Sequence, residues 1–378
     1  MKPLITIIIA FLFFQVAAVT ADNVNVKKLM NRNWVQVESE HFSALSEAGD
    51  KKTIAMLQEL EDFNYFMSDH LGYQQKPLEH KVPVILAKSG GTFRALGMPR
   101  NYVGIFSPSG KFFFARADRF RSSAKGSANW GRSVVLHELV HLLISGQSYK
   151  MATPPWYNEG IAEYFGTFKQ ENNSVVLGDM SVLGDRFYSI LSSTGQKFES
   201  VDTEALFKVT QEELKVGSGN GRKHKKMLEK FYARSAAVVH YLNADRARRK
   251  QMHVYLVLLK RGYTVDKGFE AAFKTTYAEL DKAVDEYVSG RWMMSRVFPI
   301  GTQAGMVNFP IVKTETIEIT NRDAMGFIYD RLVYFSDQFL GEGARDKMNA
   351  DFERLIPGFF ENQCVSSLLY CFGVLRCQ

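Results

Sequence analysis

The segment His137-Glu138-Leu139-Val140-His141 constrains this chain more than any other. In an α-helix residues i and i+4 share a face, so His137 and His141 can hold one metal ion between them. Glu138, one position along, points at the neighbouring sector, where a water on that metal would sit. The plainer alternative is a buried helix with two satisfied histidines. The chain has only 8 histidines, and the residues downstream weigh against that alternative.

Pro154 and Pro155 fit the first turn of a second helix, and Gly166 suits its C-terminal cap. Glu159 and Glu163 then stand at i and i+4 on one face. A zinc site made from two helices needs a third protein ligand and leaves a fourth position for water. Glu159 is the natural third ligand. Glu163, one turn on, is placed to accept the spare N–H of a ligating histidine. Paired glutamates on a helix ordinarily mark a solvated face. Here Ile161, Ala162, Tyr164 and Phe165 surround them, and carboxylates in an apolar run need a buried partner. The expected cofactor is one zinc ion per chain, held by His137, His141 and Glu159.

HExxH followed by Asn158-Glu159-Gly160-Ile161-Ala162 resembles the gluzincin metallopeptidases of the peptidase-MA clan, and in this segment is similar to the aminopeptidase N and leukotriene A4 hydrolase type. Seventeen residues lie between His141 and Glu159, one fewer than is usual in those aminopeptidases, a difference that the connection Ser145–Thr153 can absorb. A second match lies at Tyr232-Ala233-Arg234-Ser235 and the aliphatic residues after it. There the aminopeptidase-like enzymes open a helix with Tyr-x-Lys-Gly, and the tyrosine hydrogen-bonds the oxyanion of the tetrahedral intermediate. The resemblance points to Tyr232 for that role, with Arg234-Ser235 in place of Lys-Gly. Read without it, Tyr232 is a packing residue near a helix start. His240 is the fallback for the same role, and otherwise a core histidine.

The resemblance covers roughly residues 34–290, and the layout is similar to that of exported bacterial peptidase-MA-like proteins. It implies an α+β zincin, or thermolysin-like, catalytic domain, with Glu138 as the base that takes a proton from water. It also implies a sheet edge that pairs with extended substrate, for which Lys111–Ala117 is the candidate. The aminopeptidases carry Gly-x-Met-Glu-Asn upstream, whose glutamate anchors a free amine. Gly90-Gly91-Thr92-Phe93 and Gly97-Met98-Pro99 lack that acid, which favours an endopeptidase acting on peptide or protein substrates. Two alternatives stand beside it: a binding protein that keeps zinc without turnover, and a zinc hydrolase of a non-peptide amide or ester.

Lys2, an apolar run from Leu4 to Val19, and Val19-Thr20-Ala21 before Asp22 read as a secretory signal peptide over residues 1–21, with an uncleaved anchor as the rival. No later stretch offers about 18 uninterrupted apolar residues, so the mature chain is expected to be exported, without stable membrane insertion. The formal net charge of +7 is mild at this length. Its two basic runs, Arg222–Lys226 and Arg246–Lys250, come without a recognition module or aromatic platform, so nucleic acid is not an expected partner. Cys364, Cys371 and Cys377 all fall in the last fifteen residues. The core must therefore hold without disulfides, which a chain with 46% apolar residues can do.

Strand-like patterns occur at Trp34–Val37, His41–Leu45 and Val82–Ala87. Tyr102–Phe106 and Phe112–Ala117 form a hairpin pattern about Ser107–Lys111. Ile54, Leu57, Leu60, Phe63, Phe66 and Met67 recur at helical spacing over Asp50–His70. After Gly166 the pattern is mostly helical, Phe309–Thr320 reads as extended, and Arg296–Pro310, broken by Pro and Gly, reads as a linker. The expected division is residues 22–130 as a small mixed N-terminal lobe, 131–295 as the helical zinc-binding lobe, and 296–378 as a C-terminal region.

Overall fold

The structure is a computed structural model and describes residues 24–71, 80–98, 102–107, 110–121, 130–145, 151–183, 202–214, 221–290, 293–339 and 343–361. The leader over 1–21 and the three cysteines lie outside the described residues. In chain order the elements are α1 (Val26–Met30), β1 (Val35–Glu38), β2 (Phe42–Ser46), α2 (Asp50–Tyr65), β3 (Val82–Ala87), α3 (Gly90–Ala95), β4 (Gly104–Ser107), β5 (Phe112–Arg116), α4 (Trp130–Ser145), α5 (Pro155–Gly166), β6 (Lys169–Glu171) and β7 (Ser174–Leu177). They continue as α6 (Thr203–Lys208), α7 (Gln211–Leu214), α8 (Gly221–Ala244), α9 (Arg246–Lys260), α10 (Val265–Phe273), α11 (Tyr277–Ser289), β8 (Arg296–Pro299), β9 (Glu315–Ile317), α12 (Asn321–Phe339) and α13 (Ala344–Leu355). The class is mixed α+β, as expected.

The chain forms two units from interleaved segments. Among the described residues, one takes 24–61, 80–120 and 311–361, and the other 62–71 and 121–310. The linear division at 130 and 295 gives way to this one for a physical reason. Strand pairing recruits residues far apart in sequence, and β9 pairs antiparallel with β1, Gln36 opposite Ile317. Arg296–Pro299, within the stretch read as a linker, is strand β8.

The first unit holds a six-stranded mixed sheet in the order β4-β5-β3-β2-β1-β9. β2–β3 and β3–β5 are parallel, and the other pairs are antiparallel. β2 and β5 are buried along their whole length, as interior strands of a covered sheet are. The expected hairpin is present, with Ile105 opposite Phe114 and Ser107 opposite Phe112. It folds β4 to the outside, so β5 is not the edge strand expected of Lys111–Ala117; β4 is. The helix expected over Asp50–His70 regularises only to Tyr65 and continues as a π-turn over Phe66–His70. There the Ser68 hydroxyl donates to the Asn64 carbonyl at 2.8 Å, drawing on an acceptor of the helical ladder.

The second unit is a helical assembly with a three-stranded antiparallel sheet, β6-β7-β8. The sheet face packs Phe298 and Phe168 with Phe66 and Phe63, centroids 5.2–5.3 Å apart. A second aromatic core joins α5, α6, α9 and α10, with Trp156 stacked on Phe207 at 4.2 Å and Tyr255, Phe269 and Phe273 around them. Among the described residues no helix is long and apolar enough to cross a membrane.

Candidate metal centre

α4 is apolar on nearly every side, with Val135, Leu136, Leu139, Val140, Leu142, Leu143 and Ile144 all buried. Such a helix forms because it is core on all faces, and it carries His137 and His141 inward, each less than a tenth exposed. α5 starts at Pro155 after the extended Pro154, a proline in the first turn where its missing N–H costs nothing. All twelve of its residues but Asn158 are buried.

Two glycines set how closely α5 packs. A Cβ on Gly160 would lie 2.4 Å from the Ser235 carbonyl oxygen and 2.5 Å from Val239 Cγ2, so α5 and α8 meet backbone to backbone there. A Cβ on Gly166 would lie 3.0 Å from the Ser133 carbonyl oxygen and 3.6 Å from the His137 Cβ, on α4. Gly166 is the last helical residue rather than the cap. That position is Thr167, whose hydroxyl donates to the Tyr164 carbonyl at 2.6 Å. Close approach, not a left-handed conformation, is what calls for glycine at 166.

This packing brings three donor atoms together. His137 Nε2 lies 3.1 Å from His141 Nε2 and 3.3 Å from Glu159 Oε2, and His141 Nε2 lies 3.6 Å from the same oxygen. Four donors at about 2.0–2.1 Å from a tetrahedral ion are about 3.3 Å from one another, and the three separations bracket that value. The group can hold a metal ion. The donor set fits one in kind as well, since two imidazole nitrogens and a carboxylate oxygen converge there. Burial disfavours the charge on Glu159, but the imidazoles of His141 and His137 outweigh it and hold its carboxyl well below the usual range. Burial likewise disfavours a charged His141, and the charges of Glu159 and then Glu138 overcome it and raise its pKa. The centre is thus built for a cation.

Around the donors, Glu163 Oε1 stands 3.6 Å from His137 Nδ1, the nitrogen that faces away from the convergence point. Glu138 sits on α4 half-buried, its charge felt at His141. Asn158, which the sequence did not single out, adds a smaller upward push on the His141 pKa through its side chain. The available signal was a polar amide directly before a buried carboxylate in an otherwise apolar helix.

Tyr232 lies on α8, 6% exposed, on the same stripe as Ser235 and Val239, the residues that meet Gly160. Two positions on, Arg234 is buried and clasps α11. It donates to Asp285 Oδ1 at 2.5 Å and pairs with Asp281, whose carboxylate also accepts from the Thr203 hydroxyl at 2.6 Å. Arg234 therefore ties α8 to α11 and to the start of α6.

His240 is fully buried on α8. Its Nε2 lies 2.7 Å from the Gly178 carbonyl, an obligate acceptor, so Nε2 carries the proton. Nδ1 then accepts from the Tyr287 hydroxyl at 2.8 Å. Both nitrogens are occupied, which leaves none for an oxyanion. Burial pushes its pKa down from 6.5 to about 4. The neutral imidazole contributes stability that is complete above pH 6.5 and is lost as pH falls from 6.5 to 4, where only the unfolded chain takes up the proton. Between pH 7 and pH 5 this amounts to about 2 kcal/mol. Urea unfolding of wild type and His240→Gln at the two pH values should show the wild type losing that much more; equal losses would refute it.

No protein-family model matches the chain, and no curated protein matches it, so its functional reading rests on these residues.

Proposed function

We propose that this chain is a zinc-dependent peptidase of the gluzincin type, that its catalytic fold is a zincin, and that it cuts within polypeptides rather than at a free amino terminus. The observation that carries the reading is the convergence of His137 Nε2, His141 Nε2 and Glu159 Oε2 at tetrahedral separations, with Glu138 one residue along from the first ligand. Two histidines and one carboxylate match the protein donor set of zinc hydrolases. When bound, zinc supplies Lewis acidity towards a carbonyl oxygen and brings water near to ionising at neutral pH.

The chain's own residues divide the remaining work. Glu138 accepts the proton of the attacking water and returns it to the leaving amine nitrogen. Glu163 holds His137 through Nδ1, keeping Nε2 as the ligating atom. The Tyr232 phenol donates to the carbonyl oxygen as negative charge builds on it. The missing acidic anchor upstream of α4 supports cleavage within a chain.

Zinc content of the purified protein and its cleavage of casein, before and after stripping with a chelator, test the reading together. One zinc per chain is expected, with cleavage that disappears on stripping and returns with added zinc. Absence of metal uptake would overturn the site. Full zinc occupancy with no turnover of casein or of a peptide library would replace the peptidase with a zinc-holding binding protein or a hydrolase of another acyl group.

A further inference from the structure

We propose that His240 is a positioning residue for the metal centre, acting through the last turn of α5 on the contact between Glu163 and His137. This rests on the metal reading above. Four hydrogen bonds run in one donor direction from α11 to α5. The Tyr287 hydroxyl donates to His240 Nδ1 at 2.8 Å, His240 Nε2–H to the Gly178 carbonyl at 2.7 Å, the Gly178 N–H to Thr167 Oγ1 at 2.7 Å, and the Thr167 hydroxyl to the Tyr164 carbonyl at 2.6 Å. The chain ends one residue beyond Glu163.

The surroundings leave the chain no slack. Gly178 has φ +86°, and a Cβ there would lie 3.0 Å from the Tyr164 ring and 3.1 Å from His240 Nε2. The Tyr164 ring stands edge-on to the imidazole, centroids 5.6 Å apart. At 3.6 Å, the Glu163–His137 separation is a few tenths of an ångström from hydrogen-bond length. A brace that fixes the turn carrying Glu163 therefore decides whether that carboxylate can steady the ligand. A histidine that only filled the core would affect stability and leave ligand geometry alone.

Zinc affinity, measured by competition with a chromophoric chelator, separates the two. His240→Leu and Glu163→Gln are each expected to weaken zinc binding about tenfold. If His240 acts through Glu163, the double variant is no weaker than about thirtyfold, short of the hundredfold product of independent losses. His240→Gln keeps a donor towards Gly178 and should bind within about threefold of wild type. A folded His240→Leu with wild-type affinity, or losses that multiply in the double variant, would overturn the proposal while leaving the metal site standing. If His240→Leu does not fold, Tyr287→Phe takes its place in the same cycle, and multiplying losses there overturn it equally. A wild type that binds no zinc removes the metal reading and this proposal with it.

Discussion

Glu138→Gln is expected to keep one zinc ion per chain and to lower casein cleavage about 1,000-fold, within the range of lost general-base catalysis. Glutamine matches glutamate in volume and reach, and it can still orient a water, but its amide cannot take up a proton at neutral pH. The three donors that can hold an ion are His137, His141 and Glu159, none of which the substitution touches. Glu138 does contribute negative charge at His141, so a loss of zinc affinity of a few-fold accompanies the change and is offset by excess metal in the assay. Zinc analysis and progress curves on the same preparations decide the matter. Cleavage within tenfold of wild type would remove Glu138 from the proton's path, and loss of zinc itself would move Glu138 into the ligand set.

The second large effect is structural. Gly160→Ala should destabilise the unit formed by residues 62–71 and 121–310 by at least about 3 kcal/mol, the upper range for overpacking, because the new methyl meets the Ser235 backbone carbonyl at 2.4 Å and not merely a movable side chain. Relief requires α5 and α8 to part, and Glu159 is the residue next door. Zinc affinity should therefore fall with stability. Gly166→Ala meets the Ser133 carbonyl at 3.0 Å and should cost about 1 kcal/mol. Gly262→Ala has open space around it and only its φ of +91° to strain, so it reports backbone strain without a packing clash. Thermal melts of the three variants should rank Gly160→Ala as the least stable by a wide margin. A Gly160→Ala protein that melts with the wild type would show that the two helices can separate freely.

The metal donors were legible in the sequence because both halves of the site are local patterns. His137 and His141 need only one helix, and Glu159 is announced by prolines before it and by apolar neighbours that make a lone carboxylate costly. The strands of the six-stranded sheet were legible for the same reason, as short alternating or apolar runs between turns. What escaped was either non-local or too short to show a period. β6 and β7 have three and four residues, but Asn172 and Asn173, both at positive φ, are the two-residue turn signal that could have revealed the hairpin. β8 owes its strand character to β7, about 120 residues away in sequence, which no local pattern encodes; β9 lies in the stretch Phe309–Thr320 read as extended, and only its pairing with β1 was out of reach. Gly166 was read as a cap because glycine near a helix end usually is one; its contact with Ser133 depends on a neighbouring helix.

The pairing of β1 with β9 also sets a timetable. The strands are about 280 residues apart, and at a synthesis rate of roughly 5–20 residues per second the outer edge of β1 waits on the order of 15–55 seconds for its partner. An open strand edge invites pairing with other chains for as long as it is exposed. The segment 121–310, most of the unit that carries His137, His141 and Glu159, emerges whole within that interval, and can finish folding before the sheet on either side of it in sequence is closed. Newly made chains halted between residues 310 and 315 should therefore bind metal yet self-associate, and release from the halt should restore solubility with the last strand.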